Sequence, residues 1–326
     1  MTVPVLAEVT RGPLVESRHR GSAVVVDRNG TVVAAWGEPE KPVYPRSAVK
    51  PFQALPLIES GAADRFGLTE KEIALACSSH SGEPVHAEAV AAWLARIGLS
   101  AADLECGAHA PLDVDAAWDL AKSGDVPSAL HNNCSGKHAG MLTTARHLGE
   151  AARGYLAAEH PVQRRVRRAI GMMTGIDAEA APSGIDGCGI PTVAMPLANL
   201  ALGFAHLAAS DAPPAVARIA AAMMAEPRMV GGKDRFDTLI MSAAPGRLVT
   251  KGGAEGVWAA GLVDEGLGIA VKIEDGTRRG AEAAMAGLLA RFAHAIPATV
   301  LDRFAAAPVL NVAGRPVGLL RSVLSA

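Results

Sequence analysis

Strand-like sequence lies at both ends of this chain, with a long and mostly helical stretch between. Near the start, "SAVVVDRNGTVVAAW" (residues 22–36) sets two β-branched runs around "DRNG". Asn-Gly accepts the positive φ angles of a tight turn, so the segment predicts a hairpin. Near the end, residues 247–274 read as three more strands, "RLVTKGG", "GVWAAGLV" and "LGIAVKI", with turns at "GGAEG" and "DEGLG". Apolar residues at helical spacing follow Thr277. Between them, 84–97, 137–148, 160–174, 190–207 and 214–226 read as helices. The expected class is therefore α/β (α+β): an antiparallel sheet from N- and C-terminal strands, flanked by helices, with a helical insert. One domain over 1–326 is expected, its sheet from about 5–45 and 236–326 and its mainly helical region from about 46–235. A chain of 326 residues, half of them hydrophobic, is long enough for one large core or two modest ones.

Charge excludes some partners. With 31 basic and 33 acidic residues the net charge is −2, which leaves no footprint for nucleic acid or an anionic membrane. The basic cluster "RRVRR" (164–168) reads as a solvated helix face. No apolar run is long and uninterrupted enough to predict a span. Four cysteines do not make a disulfide framework, and the opening residues lack a charged region followed by an apolar one. A reducing cytoplasm is the expected location.

The chemistry starts at "RSAVK", where Ser47 and Lys50 stand three apart. On a helix that spacing shares a face, and a lysine amine beside a serine hydroxyl can serve as its base. Pro51 suits a first helical turn, whereas Pro56 predicts a kink. On the order of one Ser-x-x-Lys is expected by chance in such a chain, so the motif alone is weak. Lysine usage and order strengthen it. The chain has 23 Arg and only eight Lys, yet Lys50, Lys137 and Lys251 sit beside Ser, Gly or Cys in turn-like sequence. Lysine can lose its proton when buried; arginine effectively cannot. Enzymes of the penicillin-recognising type need a Ser-x-x-Lys, a second Ser on a loop, and a Lys-x-Gly on a strand. Here these are Ser47–Lys50, "SSHSGE" (78–83) and "TKGG" (250–253). Which of Ser78 and Ser79 points inward is open at this level.

Six ordered motifs carry a more specific likeness: "VYPRSAVKPFQALPL", "LACSSHSGEPVH", "HNNCSGKHAGML", "GIDGCGIP", "MVGGKDRFDT" and "TKGGAEGVWAAG". With them the chain resembles the asparaginase II family, the bacterial family of Rhizobium-type L-asparaginases, from about residue 5 to 320. The resemblance implies a serine β-lactamase/glutaminase-like fold, a homodimer, and hydrolysis of L-asparagine to aspartate and ammonia. It implies two Ser-Lys pairs, Ser47 with Lys50 and Ser79 with Lys251. It also implies zinc held by Cys134, Lys137 and Cys188, with Asp186 close by. Spacing alone would choose Cys134 and His138, since thiolate and imidazole are commoner zinc ligands than an amine. His138 is kept as an outer or substrate contact, and Lys137 ligates only when neutral, which needs a depressed pKa. Two thiolates leave little Lewis acidity, so the metal is expected to organise the pocket or hold substrate rather than activate water. Cys77 and Cys106 are expected in the core.

The expected mechanism has Lys50 deprotonate Ser47, which attacks the side-chain carboxamide; Ser79, held by Lys251, relays a proton to ammonia. The reverse assignment, with Ser79 as nucleophile, stays open. Oxyanion donors are expected from the Ser47 N–H and the strand near Gly252 or Gly253. Arg46 is the candidate for the substrate carboxylate, Glu255 for its amine, and His80 for the pocket wall. Competing functions are a glutaminase, a penicillin-interacting acyl hydrolase, and a non-catalytic metal-binding protein.

Overall fold

The computed structural model describes residues 3–324, which fall into two compact units. The sheet unit comprises the chain up to Ala48, Ala194–Ala212, and Leu239 onward. Its strands are β1 (Val5–Arg11), β2 (Leu14–Asp27), β3 (Val32–Trp36), β4 (Leu248–Gly252), β5 (Val257–Leu262), β6 (Leu267–Ile273), β7 (Ala306–Leu310) and β8 (Pro316–Ser322). They form one antiparallel sheet in the order β7-β8-β1-β2-β6-β5-β4, with β3 also on β2. The N-terminal hairpin β1–β2 is thus inserted between C-terminal strands, as a sheet built from both termini requires.

Residues 21–26 of β2 are buried almost without interruption, and β5 is buried throughout. Such strands are covered on both faces and read as continuous apolar runs rather than alternating ones. The helix Leu197–Leu207 packs on β2, β5 and β6, and the helix Arg278–Phe292 packs on β1, β5, β6 and β8. The turn after β2 differs from a simple Asn-Gly turn: only Gly30 takes positive φ, at 82°. The Asp27 carboxylate organises it instead, accepting the N–H groups of Asn29 (2.8 Å) and Thr31 (2.9 Å). The hairpin β7–β8 escapes a propensity reading because Pro308 and Pro316 interrupt it. Proline is tolerated in β7 because that strand is the sheet's edge.

The helical unit comprises Val49–Val193 and Pro213–Thr238. The helices at Pro84–Arg96, Ser135–His147, Pro161–Thr174 and Pro214–Ala225 lie close to their expected ranges. The expected helix 190–207 is corrected. Pro191–Val193 is a short strand, Met195–Pro196 pairs with Pro42–Val43, and the helix starts only at Leu197. Residues preceding Pro191 and Pro196 are driven from the helical region, which keeps this stretch extended. That helix belongs to the sheet unit, although it falls inside the stretch read as helical insert.

Helix Ser135–His147 is buried on every side from Ser135 to Ala145. It therefore carries Lys137 and His138 into the interior of its unit, where polar groups need partners. The "RRVRR" arginines are on a charged face: Arg164 pairs with Glu159, Arg165 with Glu150 and Arg167 with Glu179. Among the described residues no helix is long and apolar enough to cross a membrane.

Candidate active site

In the helical unit, Lys50 opens the short helix Lys50–Gln53, preceded by the 3₁₀ turn Arg46–Val49. Pro51 occupies its first turn. The interruption expected at Pro56 is present: one helix ends at Gln53, Ala54 stays in the right-handed helical region, and a second helix runs from Leu55 to Glu59 with proline in its first turn. Lys50 is 1% exposed, and its amine is surrounded by oxygen. Nζ donates to the Ser78 carbonyl (2.5 Å), the Ser79 hydroxyl (3.0 Å) and the Asn133 carbonyl (3.4 Å).

This geometry answers which of the paired serines meets the lysine. Ser79 presents its hydroxyl to Lys50. Ser78 presents its carbonyl, and its own hydroxyl is buried with no hydrogen-bond partner among the described residues. The Ser79 N–H donates to the Val230 carbonyl at 3.0 Å, so it is spent and is not an oxyanion donor.

His80 is fully buried. The Gly82 N–H donates to Nδ1 (3.1 Å), which leaves the proton on Nε2 facing the Ser135 hydroxyl (2.8 Å). The Ser135 hydroxyl in turn donates to the Leu130 carbonyl (3.0 Å). Burial first, then the charges of His86 and Lys50, hold the ring well below the usual histidine range, so it stays neutral. It stacks on His86 with ring centroids 4.9 Å apart. Both ring nitrogens are engaged by protein, which leaves His80 none for a substrate.

His138 is also neutral, for the same leading reason, burial. Its Nδ1 meets the Tyr155 hydroxyl at 2.8 Å, and that hydroxyl accepts the Glu105 N–H at 3.0 Å. Tyr155 therefore donates to Nδ1, and the His138 proton sits on Nε2, a buried atom with no hydrogen-bond partner among the described residues.

Cys134 precedes helix Ser135–His147, and Lys137 lies in its first turn. Cys188 arrives from the tip of the hairpin formed by Ser183–Ile185 and Pro191–Val193. The Lys137 amine donates to Cys188 Sγ at 2.9 Å. The Cys134 thiol is held well below the usual range by a hydrogen bond with Cys188. Burial opposes this, and the Lys137 and Lys50 charges assist it. Cys188 is pushed up, by that same hydrogen bond and by burial. Burial pulls Lys137 down, but Cys134, Cys188 and Asp186 outweigh it and raise its pKa. That shift runs opposite to the depressed pKa that ligation needs. Cys77 and Cys106 are buried free thiols, and burial pushes Cys106 up to about 11.

Among the described residues no three His, Cys, Asp or Glu side chains group as a metal site. The cluster instead offers two thiols and an amine. That donor set suits a soft divalent cation such as zinc, with one position left open, once Lys137 gives up its proton.

In the sheet unit, Ser47 is half-buried on the 3₁₀ turn, and Lys251 is buried at the end of β4. Lys251 Nζ donates to the Gly252 carbonyl at 2.6 Å. Gly253 brings the two motifs together: a Cβ there would stand 2.5 Å from the Pro45 carbonyl oxygen and 3.3 Å from the Ala48 nitrogen. The strand end is thus pressed against the turn that carries Ser47. Arg46 and Glu255 share a feature that sequence reading missed: both are non-glycine residues at positive φ, 52° and 57°. Such strain costs about 1–3 kcal/mol and clusters at functional sites. The Glu255 carbonyl accepts from Lys272 (2.5 Å), and its carboxylate lies over Gly276. The carboxylate of this exposed residue is therefore directed at that turn.

A family model described as L-asparaginase II matches residues 7–322. Among solved structures, a beta-lactamase from Mycobacterium bovis is similar at 12% identity. The match covers 89% of this chain and 96% of that one with a TM-score of 0.38, too loose a likeness to argue from. Comparison with curated proteins finds no match. With nearly its whole length matched, the chain belongs to the L-asparaginase II family.

Proposed function

We propose that this hydrolase cleaves the side-chain amide of L-asparagine to aspartate and ammonia through a serine activated by lysine. The observation that carries the reading is the buried Lys50 amine, 3.0 Å from the Ser79 hydroxyl and three residues beyond Ser47 in the chain. A buried lysine on a serine hydroxyl has little structural purpose that arginine could not serve, in a chain that otherwise prefers arginine. In this reading Ser47 is the nucleophile: it is half-buried and directly follows Arg46, which sits at positive φ. In its neutral form, with one of its three donated hydrogen bonds given up, the Lys50 amine takes the Ser47 proton, and Ser79, hydrogen-bonded to that amine, returns a proton to the departing ammonia. Water then hydrolyses the β-aspartyl ester by the same groups. Arg46 takes the substrate carboxylate. A dimeric, cytoplasmic enzyme is part of this proposal.

Cys134, Cys188 and Lys137 would hold the zinc ion. Bound, it would supply a fixed positive centre for a polar group of the substrate rather than a water activator. Mixing zinc with metal-free protein should raise its melting temperature, and Cys188→Ala should lose both the bound zinc and that rise. Equal zinc content in wild type and variant would remove this cluster as the metal site.

A second reading, with Ser79 as nucleophile, draws on the same 3.0 Å contact. Ammonia release by the two alanine variants separates them. Ser47→Ala should lose about 10³-fold or more in kcat, and Ser79→Ala less. Near-wild-type turnover by Ser47→Ala beside a dead Ser79→Ala would reverse the roles. Asparagine, glutamine and a β-lactam should be run together, because one methylene is worth only about 1–3 kcal/mol of discrimination. No ammonia from asparagine with zinc present would sink the reading.

A further inference from the structure

We infer that Glu83 is a positioning residue for Ser79, acting through the strap Arg228–Lys233. The inference rests on the proposed Ser-Lys chemistry for its catalytic consequence, but not for its structural one. Glu83 stands at the N-cap position of helix Pro84–Arg96, yet its side chain does not cap that helix. It is only 4% exposed. Its carboxylate accepts the Arg228 guanidinium (2.7 Å), the Lys233 backbone N–H (2.9 Å) and the Ser81 hydroxyl (2.8 Å). One buried group thus ties both ends of the strap to the segment that carries Ser79.

The middle of the strap makes the other half of the connection. The Val230 carbonyl accepts the Ser79 N–H. At Gly232, φ is 124°, and an added Cβ would come within 2.0 Å of the Ser81 hydroxyl and 2.7 Å of Glu83 Oε1. Only glycine lets the strap lie this close. The Arg228 carbonyl meets His86 Nε2 at 2.9 Å, and the Lys233 amine reaches Asp113 (3.3 Å) and Asp115 (2.8 Å). Among the described residues the Ser79 N–H is held by this strap. Where Val230 sits therefore helps set the place of Ser79 against Lys50, and Glu83 fixes both ends of that strap.

Glu83→Gln keeps size and two of the three acceptor contacts but loses the charge that holds Arg228. Its kcat should fall about 10- to 100-fold with KM little changed, since a displacement near 1 Å costs about 10²-fold. Glu83→Asp should recover part of that loss. Arg228→Met, on a half-exposed side chain, should lower kcat less. The double variant should be no worse than Glu83→Gln alone, because both act through one pair. Amide hydrogen exchange supplies a readout independent of turnover: 78–82 and 228–233 should exchange faster together in Glu83→Gln. If wild type hydrolyses no amide yet these segments loosen together, the functional proposal fails and the positioning role stands. If exchange in both segments and kcat match wild type in Glu83→Gln and Arg228→Met, the inference is overturned. Loosening of 228–233 with 78–82 and kcat unchanged would overturn it as well.

Discussion

Lys50→Met should abolish measurable turnover, with kcat down about 10²- to 10⁴-fold, the range supplied by a positioned acid–base group. The substitution removes the donor from three oxygens at once, those of Ser78, Ser79 and Asn133. Each acceptor left buried and unpaired costs about 1–3 kcal/mol, so the variant should melt well below wild type. Lys50→Arg is the sharper companion. A guanidinium can donate to the same oxygens but cannot give up its proton near neutral pH. If Lys50 is the base, Arg restores stability and not activity. Recovery of turnover by Lys50→Arg in the ammonia-release assay would make Lys50 a structural cation and remove it from the mechanism.

Gly253→Ala should lower kcat/KM by about 10²-fold, with no catalytic side chain changed. The added methyl would stand 2.5 Å from the Pro45 carbonyl oxygen, 3.3 Å from the Ala48 nitrogen and 3.3 Å from Val257 Cβ. Two of those neighbours are backbone, which cannot swing aside as a flexible side chain would. The turn carrying Arg46 and Ser47 must shift, and Arg46 already sits at a strained φ. Overpacking of this kind costs about 1–3 kcal/mol. Steady-state kinetics beside a thermal melt check both effects. A wild-type kcat/KM in a folded variant would mean that the Ser47 turn is not held by the strand end.

Much of the scaffold is written in local sequence. β2 and β3 follow from β-branched runs, β4 to β6 from glycine-bounded apolar runs, and helices such as Pro161–Thr174 from proline at one end and glycine at the other. These signals act over a few residues, where turn chemistry and apolar periodicity decide conformation. The misreadings are also local in cause. Pro191 and Pro196 cut an apolar stretch that looked helical, and Pro308 hid an edge strand that only its place in the sheet explains. At the site, the Ser-x-x-Lys, the second serine and the Lys-Gly-Gly were recognisable as residue types in order. The Arg46 and Glu255 strain was not, because no residue type announces positive φ except glycine, asparagine and aspartate.

By itself, then, the amino-acid sequence determined an antiparallel sheet drawn from both termini, a family, and the side chains able to do acid–base chemistry. The tertiary structure alone decided which of them meet. It turned Ser79 rather than Ser78 toward Lys50, and brought Cys188 to Lys137 across 51 residues. It engaged both nitrogens of His80 with the Gly82 N–H and Ser135, and bound Ser79 to Val230 in the strap that Glu83 holds. The physical reason is range. Spacing along a helix or strand fixes neighbours within a turn or two, whereas contacts across long loops depend on how whole elements pack.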